Sequence, residues 1–242
     1  MNRNVLKTIA CASMALDHIG YFLFPSVLWL RIAGRLAFPL FAFFIGEGAR
    51  YTKNRKKYLL QLLVLGLGCQ SVYFIEEIVV NGVPKISSGC WFFNILLTFA
   101  LAVPGVWALL DAKKEKTRKS IALFLTYTAI SFGGAFVLWA LRRSTASAFY
   151  FDYGLSGLLL PLATAVFDEK YKKLAAFCFA VFIYCAAFFS QMNYVVFSLF
   201  AVILLVFYNN KPGSPKFKYG FYAFYPAHLG LIYLIAALTG KI

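Results

Sequence analysis

Histidine is the side chain best suited to moving protons near neutral pH, and this chain has two: His18 and His228. Both fall inside long apolar runs. His18 follows Asp17 directly; Arg31 and Arg35 come next along the chain, spaced i, i+4 on one helical face. A buried histidine can take up or hand on a proton. A guanidinium at the same depth can hold a polarised carbonyl or orient an acid. Ionisable groups inside a bilayer cost about 2.5–3.5 kcal/mol each on insertion scales, so each is a candidate for function. Two plainer readings stand beside this one: His18 as a helix-packing histidine, and Arg35 as a structural partner of Asp17 while Arg31 snorkels to headgroups.

Other polar groups in apolar runs are Glu47, near the inner end of the second run, Glu76 and Glu77 at the outer end of the third, and Asn94 at the start of the fourth. Glu47 reads as a partner for the basic stretch Arg50 to Lys57. Asn94 reads as a site-liner or a helix–helix hydrogen bond. Tyr225 and Pro226 precede His228, and the proline frees a backbone carbonyl. On the sequence map His228 lies nearer the inner side than His18. Asp17 and His18 are adjacent, so on a helix they project about 100° apart.

These groups need elements to hold them. Of 242 residues, 62% are hydrophobic and 14% charged, and mean hydropathy is +0.74. That leaves too little polar surface for a water-soluble globule. The fold class read from this is an all-α integral membrane protein, one transmembrane domain over 1–242. Apolar runs near 5–24, 28–49, 58–80, 91–110, 120–141, 153–167, 174–190, 192–208 and 221–239 give nine spans. The runs at 153–167, 174–190 and 192–208 are short or tightly spaced, so eight is the alternative. Pro39 and Gly46 are places where span 2 can kink or thin. The first run reads as a retained helix, since no signal-peptide cleavage site follows it.

Net charge is +15. With the N-terminus in the cytoplasm, 18 of the 24 basic residues fall on the inner side, which sets the orientation by the positive-inside bias. Arg142 and Arg143 are the exception. Because the charges sit in short clusters between apolar runs, nucleic acid is excluded as a partner and the lipid bilayer is implied. The five cysteines, Cys11, Cys69, Cys90, Cys178 and Cys185, have no CxxC spacing and read as small core residues with no metal site. His18 lies about 20 Å along its span, in the outer half of the membrane. Lys7, Cys11, Met14 and His18 share one stripe of that helix.

The stretches LKTIACASMALDHIGYFLFP (6–25), LRIAGRLAFPLFAFFIGEGARYTKNRKKYL (30–59) and FYAFYPAHLGLIYL (221–234) resemble the TraX family. WFFNILLTFAL (91–101) looks like that family's Asn-containing span, and the rest of the middle matches in hydropathy alone. The resemblance implies a membrane-bound acetyltransferase, distantly similar to larger multi-span acyltransferases. TraX proteins are associated with acetylating the N-terminal amine of conjugative pilin at the bacterial inner membrane. It also implies acetyl-CoA as donor and a pilin-like protein or a glycan as outer-face acceptor. In the O-acyltransferase branch of the larger group an Arg stands where this chain has Lys7, with His18 at the matching distance. Lysine is a point charge and lacks the Arg fork.

Put together, the expected catalytic residues are His18 as base, Asp17 as its support and Arg35 at the carbonyl or oxyanion. Lys7, Arg31, Arg55, Lys56 and Lys57 are the expected acetyl-CoA-binding residues, and Glu47, Asn94, Tyr225 and His228 are further site candidates. The alternatives are O-acetylation of a cell-envelope glycan and a proton-coupled transporter or flippase. The latter has against it the lack of an internal repeat.

Overall fold

A computed structural model describes residues 1–81, 91–144, 149–189, 191–211, 213–214 and 217–241. Lys85, Cys90 and Lys216 lie outside the described residues, as do the side chains of Glu76, Arg142 and Arg143. Ten helices are found among the described residues: α1 (Arg3–Phe22), α2 (Leu28–Gly34), α3 (Ala37–Tyr51), α4 (Arg55–Asn81), α5 (Ile95–Glu115), α6 (Arg118–Ser144), α7 (Gly154–Val166), α8 (Lys170–Phe188), α9 (Met192–Val206) and α10 (Lys218–Leu238).

Six helical segments among the described residues have the length and apolarity to cross a membrane: Leu28–Tyr51, Arg55–Ile75, Ile95–Glu115, Arg118–Leu138, Lys170–Phe188 and Gly220–Leu238. At 1.5 Å per residue, α7 and α9 reach only about 20–22 Å, short of a ~30 Å hydrocarbon core. Helix α1 has the length, but it carries Arg3, Lys7, Asp17 and His18. Large apolar side chains face outward throughout, among them Leu67, Ile130, Phe179 and Leu238. Together with the six long apolar helices, this marks a multi-pass membrane protein.

The second expected span is interrupted. Helix α2 ends at Gly34 and α3 begins at Ala37. Pro39 supplies the reason: it has no N–H for the Arg35 carbonyl four residues back, and its ring crowds that carbonyl. The all-helical expectation also misses two short strands, β1 (Trp91–Phe93) and β2 (Phe149–Phe151). They pair in parallel, Trp91 with Phe149 through Phe93 with Phe151. Both are runs of aromatic residues, which favour strands, and the Phe93 and Phe151 rings stack at 4.9 Å.

The chain divides into two compact units. One comprises Met1–Phe41 and Phe177–Ile242. Here the Asn2 side chain caps α1 by accepting from the Val5 N–H at 3.0 Å. The N-terminal amine donates to the Phe207 carbonyl at 2.6 Å. Leu23, Ile232 and Ala236 form a small core with Ile19 and Phe22 packed against it. Helices α1 and α10 run in the same direction, because Lys7 lies over the Phe221 ring while Leu23 meets Ile232 and Ala236 farther along both.

The other unit is Ala42–Ala176. Its core gathers Ala49, Leu62, Ala100, Val103, Val106, Trp107 and Ala165. The Trp107 indole N–H donates to the Ala49 carbonyl at 2.9 Å. Small residues let helices approach, as usual in membranes. At Gly46 a Cβ would lie 2.6 Å from the Pro161 carbonyl oxygen, so only glycine fits against α7.

Candidate functional site: a histidine pair beside an arginine–aspartate cluster

Helix α1 carries Asp17 and His18 in its last turns, and the ~100° between successive residues sends them to different neighbours. His18 faces α10. Its Nδ1 lies 2.9 Å from Nε2 of His228, with ring centroids 5.1 Å apart and planes 19° from parallel. Nδ1 of His228 lies 2.8 Å from the Phe224 carbonyl oxygen. The two histidines are 210 residues apart in sequence.

This chain of contacts fixes the protons. A carbonyl only accepts, so His228 Nδ1 carries the hydrogen. In the neutral ring, His228 Nε2 is then the acceptor, and His18 Nδ1 must donate to it. His18 Nε2 is left with its lone pair outward. The assignment follows from the hydrogen-bond network, as tautomers generally do. Aromatic side chains clamp His228: the Phe224 ring stacks on it at 4.7 Å, and Tyr225 meets it edge-on at 5.6 Å. His228 is buried and His18 half-buried. The pairing corrects the placement of His228 nearer the inner side: parallel helices bring the two to one level.

Asp17 faces α2. Its carboxylate takes Arg31 at 3.0 Å on one oxygen and Arg35 on the other. Arg31 also donates to the Asp17 carbonyl at 3.2 Å, and Arg35 Nε donates to the Arg31 carbonyl at 3.0 Å. Asp17 therefore supports the arginines, where it was expected to support His18. The helices meet closely because α1 presents Ser13, Asp17 and Gly20 on one face. Ser13 Oγ donates to the Ala33 carbonyl at 2.6 Å. A Cβ on Gly20 would lie 2.8 Å from that of Leu30, and one on Gly34 would lie 2.7 Å from Asp17 Cγ. The Arg35 guanidinium lies over the Phe189 and Tyr194 rings at 5.7 and 5.6 Å. The Arg31 guanidinium lies over Tyr21 at 4.9 Å.

Lys7 sits about three turns before His18, its ammonium 5.5 Å from the Phe221 ring centroid. Cys11 and Met14, between them on the stripe, are buried.

The remaining expected residues belong to the Ala42–Ala176 unit. Arg55 makes a bidentate pair with Asp111, 2.6 Å on each arm. Lys56 and Lys57 are exposed at the start of α4. Glu47 does not partner the 50–57 stretch. It accepts from Lys173 at 2.6 Å, and both are buried. The spacing of 126 residues hid that partner. Arg50 instead pairs with Asp168 and donates to the Phe167 carbonyl at 3.3 Å. Lys113 reaches the same carboxylate at 3.2 Å. These two cations hold the Asp168 carboxyl below the usual carboxylate range. Asn94 is a helix cap and a helix–helix bond at once: it accepts from the Leu96 N–H at 3.0 Å and donates to the Gly66 carbonyl at 2.7 Å.

A family model described as TraX protein matches residues 2–236, nearly the whole chain and both histidines. The chain belongs to the TraX family. Among curated relatives, a probable fimbrial assembly protein FimC, serogroup H1, from Dichelobacter nodosus is 30% identical over 260 aligned positions, covering 96% of this chain and 97% of that protein. Protein TraX of Escherichia coli K12 is 34% identical over 158 positions, 65% of this chain and 53% of its own length. A second Escherichia coli TraX is 28% identical over 159 positions, again 65% of this chain and 53% of its own. No solved structure matches. Within this TraX family member, the histidine pair and the Asp17 cluster stand on neighbouring faces of one helix, α1.

Proposed function

We propose that the chain is a membrane-embedded acetyltransferase that transfers an acetyl group from cytoplasmic acetyl-CoA to an amine at the outer side of the bacterial cytoplasmic membrane. The observation that carries the reading is the oriented histidine pair, which leaves His18 Nε2 as a base facing outward from the pair. In this reading His18 Nε2 takes the proton of a neutral amine as its nitrogen attacks the thioester carbonyl. The tetrahedral oxyanion develops in the field of Arg35 and Arg31. Collapse breaks the C–S bond, and the CoA thiolate leaves with the proton from His18. His228 positions His18 and stabilises its imidazolium.

Nine crossings with a cytoplasmic N-terminus accompany the proposal. The shared direction of α1 and α10 suits two odd-numbered crossings. Lys7 then lies toward the cytoplasm, where it suits a CoA phosphate. The fimbrial-assembly name of the Dichelobacter relative favours a pilin-like subunit as acceptor, its N-terminal amine being the nucleophile.

The test is incubation of purified protein in detergent with radiolabelled acetyl-CoA and a membrane extract. Wild type is expected to place alkali-stable label on protein, and His18→Ala to abolish it. Equal labelling by His18→Ala would overturn the proposal, and alkali-labile label on a glycan would replace the amine by a hydroxyl acceptor.

A further inference from the structure

Several helix ends of the Ala42–Ala176 unit are tied together at one rim. Arg50, near the end of α3, pairs with Asp168 just past α7. Lys113, near the end of α5, reaches the same carboxylate at 3.2 Å and donates to the Val166 carbonyl at 3.0 Å. Arg55, at the start of α4, clasps Asp111 of α5. The short turns into α6 and α8 leave from the same ends. Across 50–57, 111–119 and 168–172, twelve residues are basic and four acidic. Three of the acids are already taken: Asp111 and Asp168 by the pairs above, and Glu169 by Lys172 at 2.7 Å. Lys56, Lys57, Lys114, Lys116, Arg118 and Lys119 are all exposed. The excess is a net charge of the whole rim, and it stands however any single cation is paired.

Two of these helices carry cations where the helix dipole favours acids. Helix α4 opens on Arg55, Lys56 and Lys57, and α6 on Arg118 and Lys119, neither with an acid in its first turn. Local helix stability would place Asp or Glu there. Orienting the chain during insertion calls for basic residues on one side, and it leaves this rim exposed and positive once insertion is over. Aromatic residues show what lies beside it. Tyr51 and Tyr171 are 63 and 69% exposed, and Phe167 is exposed as well. Outward-facing aromatics at helix ends mark the headgroup layer of a bilayer. We propose that this rim binds the phosphates of anionic phospholipid headgroups, its cations drawn from three separate turns. The residues that react in the acetyl-transfer reading all belong to the other unit, so the two proposals stand or fall apart. The expected acetyl-CoA contacts Arg55, Lys56 and Lys57 lie in the rim, which makes acetyl-CoA the competitor that decides between the two sources of phosphate.

Native mass spectrometry of the full chain in uncharged detergent tests it, with phosphatidylglycerol and phosphatidylcholine of identical acyl chains as probes. Wild type is expected to retain phosphatidylglycerol preferentially, and the preference should shrink as salt is raised, because exposed charges are screened. Neutralising the α5–α6 turn with Lys114→Gln, Lys116→Gln and Lys119→Gln together should lower the preference by roughly fivefold for each lysine removed. Glu115→Gln, which removes an exposed acid from the same turn, should raise it by about the same factor. This opposite sign separates headgroup binding from simple loss of fold, and the wild-type lipid comparison needs no variant. Equal retention of the two lipids by wild type overturns the proposal. So does a preference unchanged in the triple variant, or one abolished by acetyl-CoA or a short acidic peptide at a concentration equal to that of the lipid.

Discussion

In the acetyl-transfer reaction proposed above, removing His228 should cost far less than removing His18, and removing both should be no worse than removing His18 alone. The hydrogen bond between the rings is 2.9 Å. A neutral hydrogen bond of that kind contributes about 0.5–1.5 kcal/mol net. His228→Ala loses this pinning of one tautomer, so turnover should fall roughly 2- to 12-fold, at 1.4 kcal/mol per factor of ten. His18→Ala loses the base itself, worth about 10²–10⁴-fold. Because His228 acts through His18, the double variant should match His18→Ala, the non-additivity expected of residues working as a unit. The assay is initial-rate acetyl transfer with the acetyl-CoA concentration varied. The loss in His228→Ala should appear in kcat, with KM for acetyl-CoA unchanged. Two outcomes would refute the reasoning: His228→Ala as dead as His18→Ala, or a double variant whose loss is the product of the two single losses.

Breaking the buried Lys173–Glu47 pair by Glu47→Gln should cost about 3–5 kcal/mol, read as a lower melting temperature in detergent; the double replacement Glu47→Met with Lys173→Met should recover most of it, and a single variant melting like wild type would refute burial of the pair. Gly34→Ala drives a methyl into the Asp17 side chain, and should cost about 1–3 kcal/mol, measured by the same melt; an unchanged melt would mean that α1 and α2 are farther apart than described. Arg50 and Lys113 depress the Asp168 carboxyl, so its contribution is present above the unfolded value of about 3.9 and lost as pH falls through the lower folded value. Asp168→Asn should therefore melt below wild type at neutral pH by a small, salt-sensitive margin that closes in acid, since this carboxylate is exposed; a gap that persists at the lowest pH would show that charge is not its cause.

Hydropathy located the helices because lipid imposes a simple rule on composition, and the runs near 58–80, 91–110 and 120–141 each coincide with a long helix. Local chemistry was legible too: Asn94 announced a polar role at a helix start, and Arg31 and Arg35 announced a shared face. Partners across the fold were not. Nothing in the helical repeat tells Glu47 that Lys173, and not the nearby basic stretch, will reach it. His18 and His228 stood out as residue types, yet their pairing depends on α1 and α10 being neighbours running the same way. The break before α3 was readable in principle, since Pro39 identifies the carbonyl it cannot serve. The strands at Trp91–Phe93 and Phe149–Phe151 were masked by aromatic residues that look equally apolar in a helix or a strand.

The hydrogen bond from His228 to the Phe224 carbonyl bears on what the buried histidines can do with a proton. A proton arriving at His18 Nε2 can be passed along, His18 Nδ1 handing its own to His228. There the wire stops, because the next atom is a peptide oxygen that accepts a hydrogen bond but cannot take up a proton and pass on another. Through the atoms described, the charge can leave only by the door it entered. In the proposed reaction, a dead end of this kind lends a proton's worth of storage for the lifetime of one turnover and returns it to the leaving group.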